Sequence, residues 1–141
     1  MRVEFTVPGP PKGKGRPRFS RQGNRVLTYT PDATSSYENL VRWCWKEQCG
    51  ESFEKGVPIQ VEIRGFFPIP QSASQKKKLA LRGAPHTSKC DCDNLAKSVL
   101  DALQRLAFWD DASVCDLRVS KRYDDNPRVE VVIESCGNLR P

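Results

Sequence analysis

Five aspartates fall within residues 91–111 of this 141-residue chain: Asp91, Asp93, Asp101, Asp110 and Asp111, against Lys97 and Arg105. Carboxylates alone make an all-oxygen donor set, which suits Mg²⁺, with Mn²⁺ as a substitute, rather than zinc. Such an ion activates a water and neutralises charge growing on a phosphate under attack. Asp91 and Asp93 stand two apart at the entry to a helix, where an extended segment can aim both carboxylates one way. Asp93, Lys97 and Asp101 are spaced four apart, so they share one helical face, opposite the Leu95, Val99 and Leu103 stripe. Lys97 fits as a fixed cation near the phosphate or as an aid to the attacking water. Asp110 and Asp111 follow the apolar Phe108-Trp109, and a chain reversal there would return a carboxylate to the first pair. A plainer reading stands beside this one. Asp91 or Asp93 caps the helix, Lys97 is an i, i+4 partner worth roughly 0.2–0.5 kcal/mol, and Asp110-Asp111 is a turn.

The charge around this cluster is uneven. The chain carries +6 overall, and residues 1–25 alone hold seven bases against Glu4. Residues 71–90 hold five bases and no acid. Two basic segments therefore flank an acidic one. A polyanion is drawn to the bases and repelled by the acids, unless the acids hold divalent cations that bridge to phosphate oxygens. The candidate phosphate-tracking residues are Lys12, Lys14, Arg16, Arg18 and Arg21 in the first segment and Lys76, Lys77, Lys78 and Lys89 in the second. An unevenly charged solvated surface is the bland alternative.

Composition narrows the classes. With 38% hydrophobic residues and twelve aromatics the chain builds one core without disulfides, and disorder is excluded as its main state. No apolar run approaches the roughly 20 residues of a membrane helix. Met1 to Val7 reads as a strand rather than a signal peptide, so the expected location is cytoplasmic. Six cysteines in that setting are free thiols rather than a disulfide framework. Cys44 and Cys115 sit at apolar positions and read as small core residues. Cys90-x-Cys92 lacks zinc-site spacing and His86 is the only histidine, so a Cys/His zinc protein is a weaker rival.

The elements that must position the acids follow from patterning. Val3, Phe5 and Val7 alternate as a first strand. Glycines and prolines over residues 9–18 bar regular structure and hold the bases in an extended loop. Gln22-Gly23-Asn24 turns between two short extended pieces, the second ending at Tyr29. Thr30-Pro31 starts a helix with Tyr37, Leu40, Val41, Cys44 and Gln48 at helical spacing and Gly50 as its stop. Trp43 and Trp45 cannot both lie on its core stripe. Val57, Ile59, Val61 and Ile63 alternate into Phe66-Phe67, and Pro68 and Pro70 end that strand. Ser72 to Gln75 resembles a capping box for a short basic helix over 73–82, stopped by Gly83. The second main helix runs from Asn94 to about Leu106, with Leu95, Val99, Ala102, Leu103 and Leu106 buried. Val114 to Tyr123 is a strand, Asp124 to Pro127 a turn, and Val129, Val131 and Ile133 its partner strand. The fold class is α+β: a small mixed β-sheet with two main helices packed on one face. One domain spans 1–141, with a basic arm over 8–25, a basic linker or short helix over 71–90 and a frayed tail over 137–141.

The run Asp91-Cys92-Asp93-Asn94-Leu95-Ala96-Lys97-Ser98-Val99-Leu100-Asp101-Ala102-Leu103, followed by Phe108-Trp109-Asp110-Asp111, resembles the D-x-D-N-x-x-K-x-x-x-D-x-L and W-x-D-D signature of RusA-type Holliday junction resolvases. Pro8-Gly9-Pro10-Pro11-Lys12 with Arg16-Pro17-Arg18 is similar to that family's basic N-terminal loop. Pro85 to Lys89 resembles its phage-type members, although Cys90 and Cys92 depart from the pattern. The resemblance implies a homodimeric, Mg²⁺-dependent endonuclease that nicks a four-way DNA junction symmetrically in recombination and repair. It implies no small-molecule cofactor and no membrane. By motif position it makes Asp91, Asp93 and Asp111 the metal-binding catalytic carboxylates, Asp110 a further ligand candidate and Lys97 the catalytic lysine. A two-fold dimer suits a near two-fold junction, and Trp43, Trp45, Phe66 and Phe67 are candidate interface residues. The competing readings are a non-catalytic basic DNA-binding module and a metal-dependent nuclease for other branched DNA.

Overall fold

The computed structural model describes residues 1–15, 18–23, 25–29 and 32–137. Strand β1 (Arg2–Pro8) leads through the basic loop to a hairpin of β2 (Arg18–Gln22) and β3 (Arg25–Tyr29), then α1 (Asp32–Gln48) and β4 (Ile59–Pro68). The short helix α2 (Gln75–Leu81) precedes α3 (Cys92–Leu103). One 3-10 turn, Asp111–Ser113, leads directly into β5 (Val114–Asp124), and β6 (Arg128–Ser135) follows. Four strands form a mixed sheet in the order β1-β6-β4-β5, parallel only between β4 and β5, while β2 and β3 pair apart from it. This is the expected α+β architecture.

Alternation explains the layers. Phe5, Val7, Ile59, Val61, Ile63, Val129, Val131 and Ile133 point from the sheet into one core against Tyr37, Val41, Cys44 and Trp45 of α1 and Leu95, Val99, Ala102 and Leu103 of α3. The intervening positions make the opposite, polar face, where Arg64 pairs with Glu62 at 3.0 Å and Glu130 at 3.5 Å, and Arg128 pairs with Glu130 at 2.9 Å. Both main helices therefore cover a single face. Gly65 allows α3 its close approach to β4: a Cβ there would lie 2.8 Å from Leu95 Cδ2. The tryptophans divide as helical geometry requires, with Trp45 buried and Trp43 61% exposed. Phe67 is buried and the Arg128 guanidinium lies 3.9 Å over Phe66, which leaves Trp43 as the fully exposed member of the suggested interface set.

Four local expectations need correction. Strand β6 is not the partner of β5, because β4 lies between them. The link Asp125–Pro127 steps over the end of β4. Two strand spacings are about 9.6 Å, and three extended residues span about 10 Å. Pro68, at that end, has no N–H whose ladder bond could be lost. The second main helix starts two residues early, at Cys92, and ends at Leu103 because Gln104 leaves helical dihedrals and Arg105 adopts φ 63°. Leu106 packs on the core from beyond that end. Ser74, not Ser72, caps α2, its hydroxyl accepting from Lys77 N at 3.2 Å, while Ala73 N closes a turn onto Pro70 O. Cys115 is not a core residue. It is the unpaired residue where the β4–β5 register shifts, it is exposed, and its Sγ lies 2.9 Å from Cys136 Sγ. All six cysteines are free. The Thr30-Pro31 helix start and the tail beyond Gly137 lie outside the described residues, and no described helix is long and apolar enough to cross a membrane.

Candidate active site

The basic loop docks on the entry to α3. Lys14 N donates to Asn94 O at 3.0 Å, Ser98 Oγ donates to Lys12 O at 2.8 Å, and Gly15 N donates to Thr34 Oγ1 at 3.0 Å. Gly13 makes the approach possible: a Cβ there would stand 2.9 Å from Cys90 Cβ and 3.1 Å from Asn94 Cβ. The loop is thus bolted beside Asp91 and Asp93 by backbone groups, which no charge count reveals. Lys14 is drawn inward. Its Nζ lies 2.5 Å from Glu38 Oε1 and 3.3 Å from Asp101 Oδ2. Burial alone would lower its pKa, but these two carboxylates outweigh burial and raise it. Lys14 therefore ties the loop to α1 and α3, while Lys12 stays exposed.

The approach to Asp91 from the other side is also fixed. Residues 83–86 zip onto the free edge of β5, with Gly83 N on Tyr123 O at 2.9 Å, Tyr123 N on Ala84 O at 3.0 Å and His86 N on Lys121 O at 3.0 Å. This antiparallel run carries the chain back toward the end of β5 at which Asp111 sits. Lys121 Nζ then donates to Ser88 O at 2.9 Å and Cys90 O at 2.6 Å. Lys121 was not singled out by sequence, where it is one basic residue in a strand. His86 stacks on Phe67 at 3.8 Å, and burial, helped by Lys121, lowers its pKa. It is a packed ring rather than an evident ligand.

Asp91 occupies the N-cap position of α3 in extended conformation, yet its side chain makes no capping hydrogen bond. Asp93 and Lys97 are exposed on the first turns, and among the described residues neither forms an ion pair within 4.0 Å. The capping and salt-bridge alternatives are therefore not what these side chains do. At the far end of α3, Asp110 Oδ1 accepts from Ala112 N at 3.0 Å and caps the 3-10 turn. That bond, with one to Asp111, lowers the Asp110 pKa. The same contact with Asp110, then burial and the negative charges of Asp110 and Asp101, raise that of Asp111. Asp101 is thus near enough to act on Asp111 and also pairs with Lys14. As they stand, no three His, Cys, Asp or Glu side chains among the described residues form a group that could hold a metal ion. The chemistry of the donor set, all carboxylate oxygens, fits a hard divalent cation.

Of the expected phosphate-tracking bases, Lys76 and Lys77 are exposed and Lys78 half-buried on the surface helix α2, which buries none of its residues, and Lys89 is exposed two residues before Asp91. Arg16 and the side chains of Arg18 and Arg21 lie outside the described residues.

A family model described as endodeoxyribonuclease RusA matches residues 8–134, and the chain belongs to that family. It is 43% identical over 136 residues to the crossover junction endodeoxyribonuclease RusA of Escherichia coli K12, covering 95% of each chain. It is 37% identical over 139 residues to the uncharacterized protein YqaN of Bacillus subtilis 168, covering 96% of this chain and 97% of that one. The crossover junction endodeoxyribonuclease rusA of Lactococcus phage r1t is 28% identical over 131 residues, covering 92% and 94%.

Proposed function

We propose that this chain is a divalent-metal-dependent endonuclease that resolves four-way DNA junctions by paired phosphodiester hydrolysis. The observation that carries the reading is the entry of α3: Asp91 stands at the cap position without capping, beside exposed Asp93 and Lys97, with the basic loop docked against it. Family membership adds support. Asp91, Asp93 and Asp111, with Asp110 beside it, would hold Mg²⁺. When bound, the ion supplies a lowered water pKa and a counter-charge for the phosphate. Lys97 places a cation over the same helix face, where it neutralises a non-bridging phosphate oxygen. Lys12, Lys76, Lys77, Lys78 and Lys89, with Arg16, Arg18 and Arg21, track the DNA backbone, so binding weakens steeply with salt. Lys121 holds the strand that delivers Asp91. A homodimer with two-fold symmetry presents two such sites to the two strands cut.

The test is cleavage of a synthetic four-way junction in Mg²⁺ beside a linear duplex of the same sequence. Symmetric nicks in the junction alone, lost in Asp91→Asn and Asp111→Asn with junction binding kept, are expected. Salt-sensitive binding without cleavage in any divalent ion would instead mark a non-catalytic DNA-binding module.

A further inference from the structure

Trp109 is 47% exposed, immediately before Asp110 and Asp111, in a molecule that buries most of its large apolar side chains. It is not bare. Lys55 Nζ lies 5.0 Å from its ring centroid and the Arg105 guanidinium carbon 5.3 Å. The three side chains, with Ser52, Phe53 and Phe108, line a shallow cavity of about 160 Å³. Both cations are exposed, and among the described residues neither pairs with an acid within 4.0 Å.

The backbone builds this arrangement deliberately. Arg105 sits at φ 63°, a region that favours glycine, and Arg105 N closes the turn onto Phe108 O at 2.7 Å. A non-glycine residue there is strained. The side chain it keeps is the one that flanks the indole, which stays 47% exposed. On the opposite wall, Ser52 Oγ donates to Leu106 O at 2.6 Å and Phe53 N donates to Ala107 O at 2.7 Å, which clamps the loop carrying Lys55 against the same turn. An accessible indole flanked by two exposed cations is the combination that takes a nucleobase on its face and phosphates on its flanks.

We propose that Trp109, Lys55 and Arg105 form a DNA subsite, in which an unstacked nucleobase next to the cut rests on the Trp109 ring while Lys55 and Arg105 hold the adjoining phosphates. This rests on the nuclease reading and deepens it. Trp109 acts as a positioning residue, seating the strand that Asp111 addresses.

The experiment compares wild type, Trp109→Ala, Trp109→Phe, Arg105→Gly and Lys55→Ala on the synthetic junction. Loss of one base-stacking contact weakens binding by about 5- to 150-fold. Trp109→Ala is expected in that range, mainly as a rise in KM, with Trp109→Phe restoring most of it. Arg105→Gly keeps the turn, since glycine accepts its φ, so its Tm is not lowered. Its log Kd against log salt slope drops by about 0.9, the value for one phosphate, and Lys55→Ala behaves alike. In an Asp91→Asn background, junction binding quenches tryptophan fluorescence, and adding Trp109→Phe removes most of that quench. A junction lacking the bases beside the cut abolishes the difference between wild type and Trp109→Ala. Unchanged KM in Trp109→Ala, or an unchanged quench without Trp109, overturns the subsite. Failure of the wild type to bind or cut any branched DNA would instead overturn the nuclease reading beneath it.

Discussion

The two ends of α3 present acids in opposite ways. At its entry, Asp91 and Asp93 stand on a turn held from both sides by backbone hydrogen bonds, by the docked Gly13 and by Lys121. Behind them Leu95 is fully buried against Gly65. At its exit, Asp110 and Asp111 sit on a short exposed turn closed by its own local bonds, Ala112 N on Asp110 Oδ1, Ser113 N on Asp110 O and Val114 N on Asp111 O, with the two acids repelling each other. The difference teaches that one half of the site is built by packing and the other by electrostatics. A cation that binds both halves would relieve the repulsion between Asp110 and Asp111 that helps to raise the Asp111 pKa, so the exit is the half that answers to metal.

The sharpest way to break this comparison is chemical. Asp91→Asn and Asp111→Asn should each slow junction cleavage at least about 100-fold, by analogy with the loss of other preorganised electrostatic groups. Of the two, only Asp111→Asn removes the acid in contact with Asp110, and NMR of the carboxyl carbons would read the change at Asp110. Equal perturbation of Asp110 by Asp91→Asn would show the two ends to be one cluster even without metal. Next comes stability. Leu95→Ala at the entry should cost about 2–5 kcal/mol in urea unfolding, as for a fully buried leucine. Leu106→Ala at the exit, only partly buried, should cost clearly less. Equal costs would mean the exit is packed as firmly as the entry. Gly13→Ala should cost about 1–3 kcal/mol through overpacking on Cys90 and Asn94, and should lower cleavage by lifting the basic loop from Asp91.

The smallest effect concerns His86, which supports the entry through the strand leading to it. Its folded pKa lies below the ordinary 6.5, so the unfolded chain binds the proton more readily. Its contribution is fully present above pH 6.5 and is lost as pH falls from there toward the folded value. Urea titrations at pH 7.5 and 5.5 should show a loss of stability that His86→Phe reduces.

Much of this was legible in sequence where one periodicity dominated. The alternation through Ile59, Val61 and Ile63 and the apolar stripe of α3 gave strand and helix because their buried faces admit no other arrangement. The Trp43 and Trp45 conflict was resolved by geometry alone. Long-range pairing was not legible: Asp124 to Pro127 looks like a hairpin turn, and only the insertion of β4 between its strands turns it into a bridge. Cys115 misled for a related reason, since a bulge changes which face a residue occupies without changing its neighbours in sequence. Among the candidate site residues, the carboxylates and Lys97 stood out by type and spacing, which left capping, ion-pair and turn roles open beside the metal site. The inward turn of Lys14 and the holding role of Lys121 were not legible, because each depends on partners from elements far apart in the chain.

One detail of the sheet has a practical outcome. Met1 and Ser135 lie side by side, with Met1 N donating to Ser135 Oγ at 3.0 Å, and Ile59 and Val114 continue the same row across the sheet. Ser135 and Val114 are therefore about 10 Å apart, two strand spacings. An affinity tag appended before Met1 leaves the molecule near the loop bearing Asp111. A tag inserted between Asp125 and Asn126 would sit at the other end of the strands and leave that loop clear for assay.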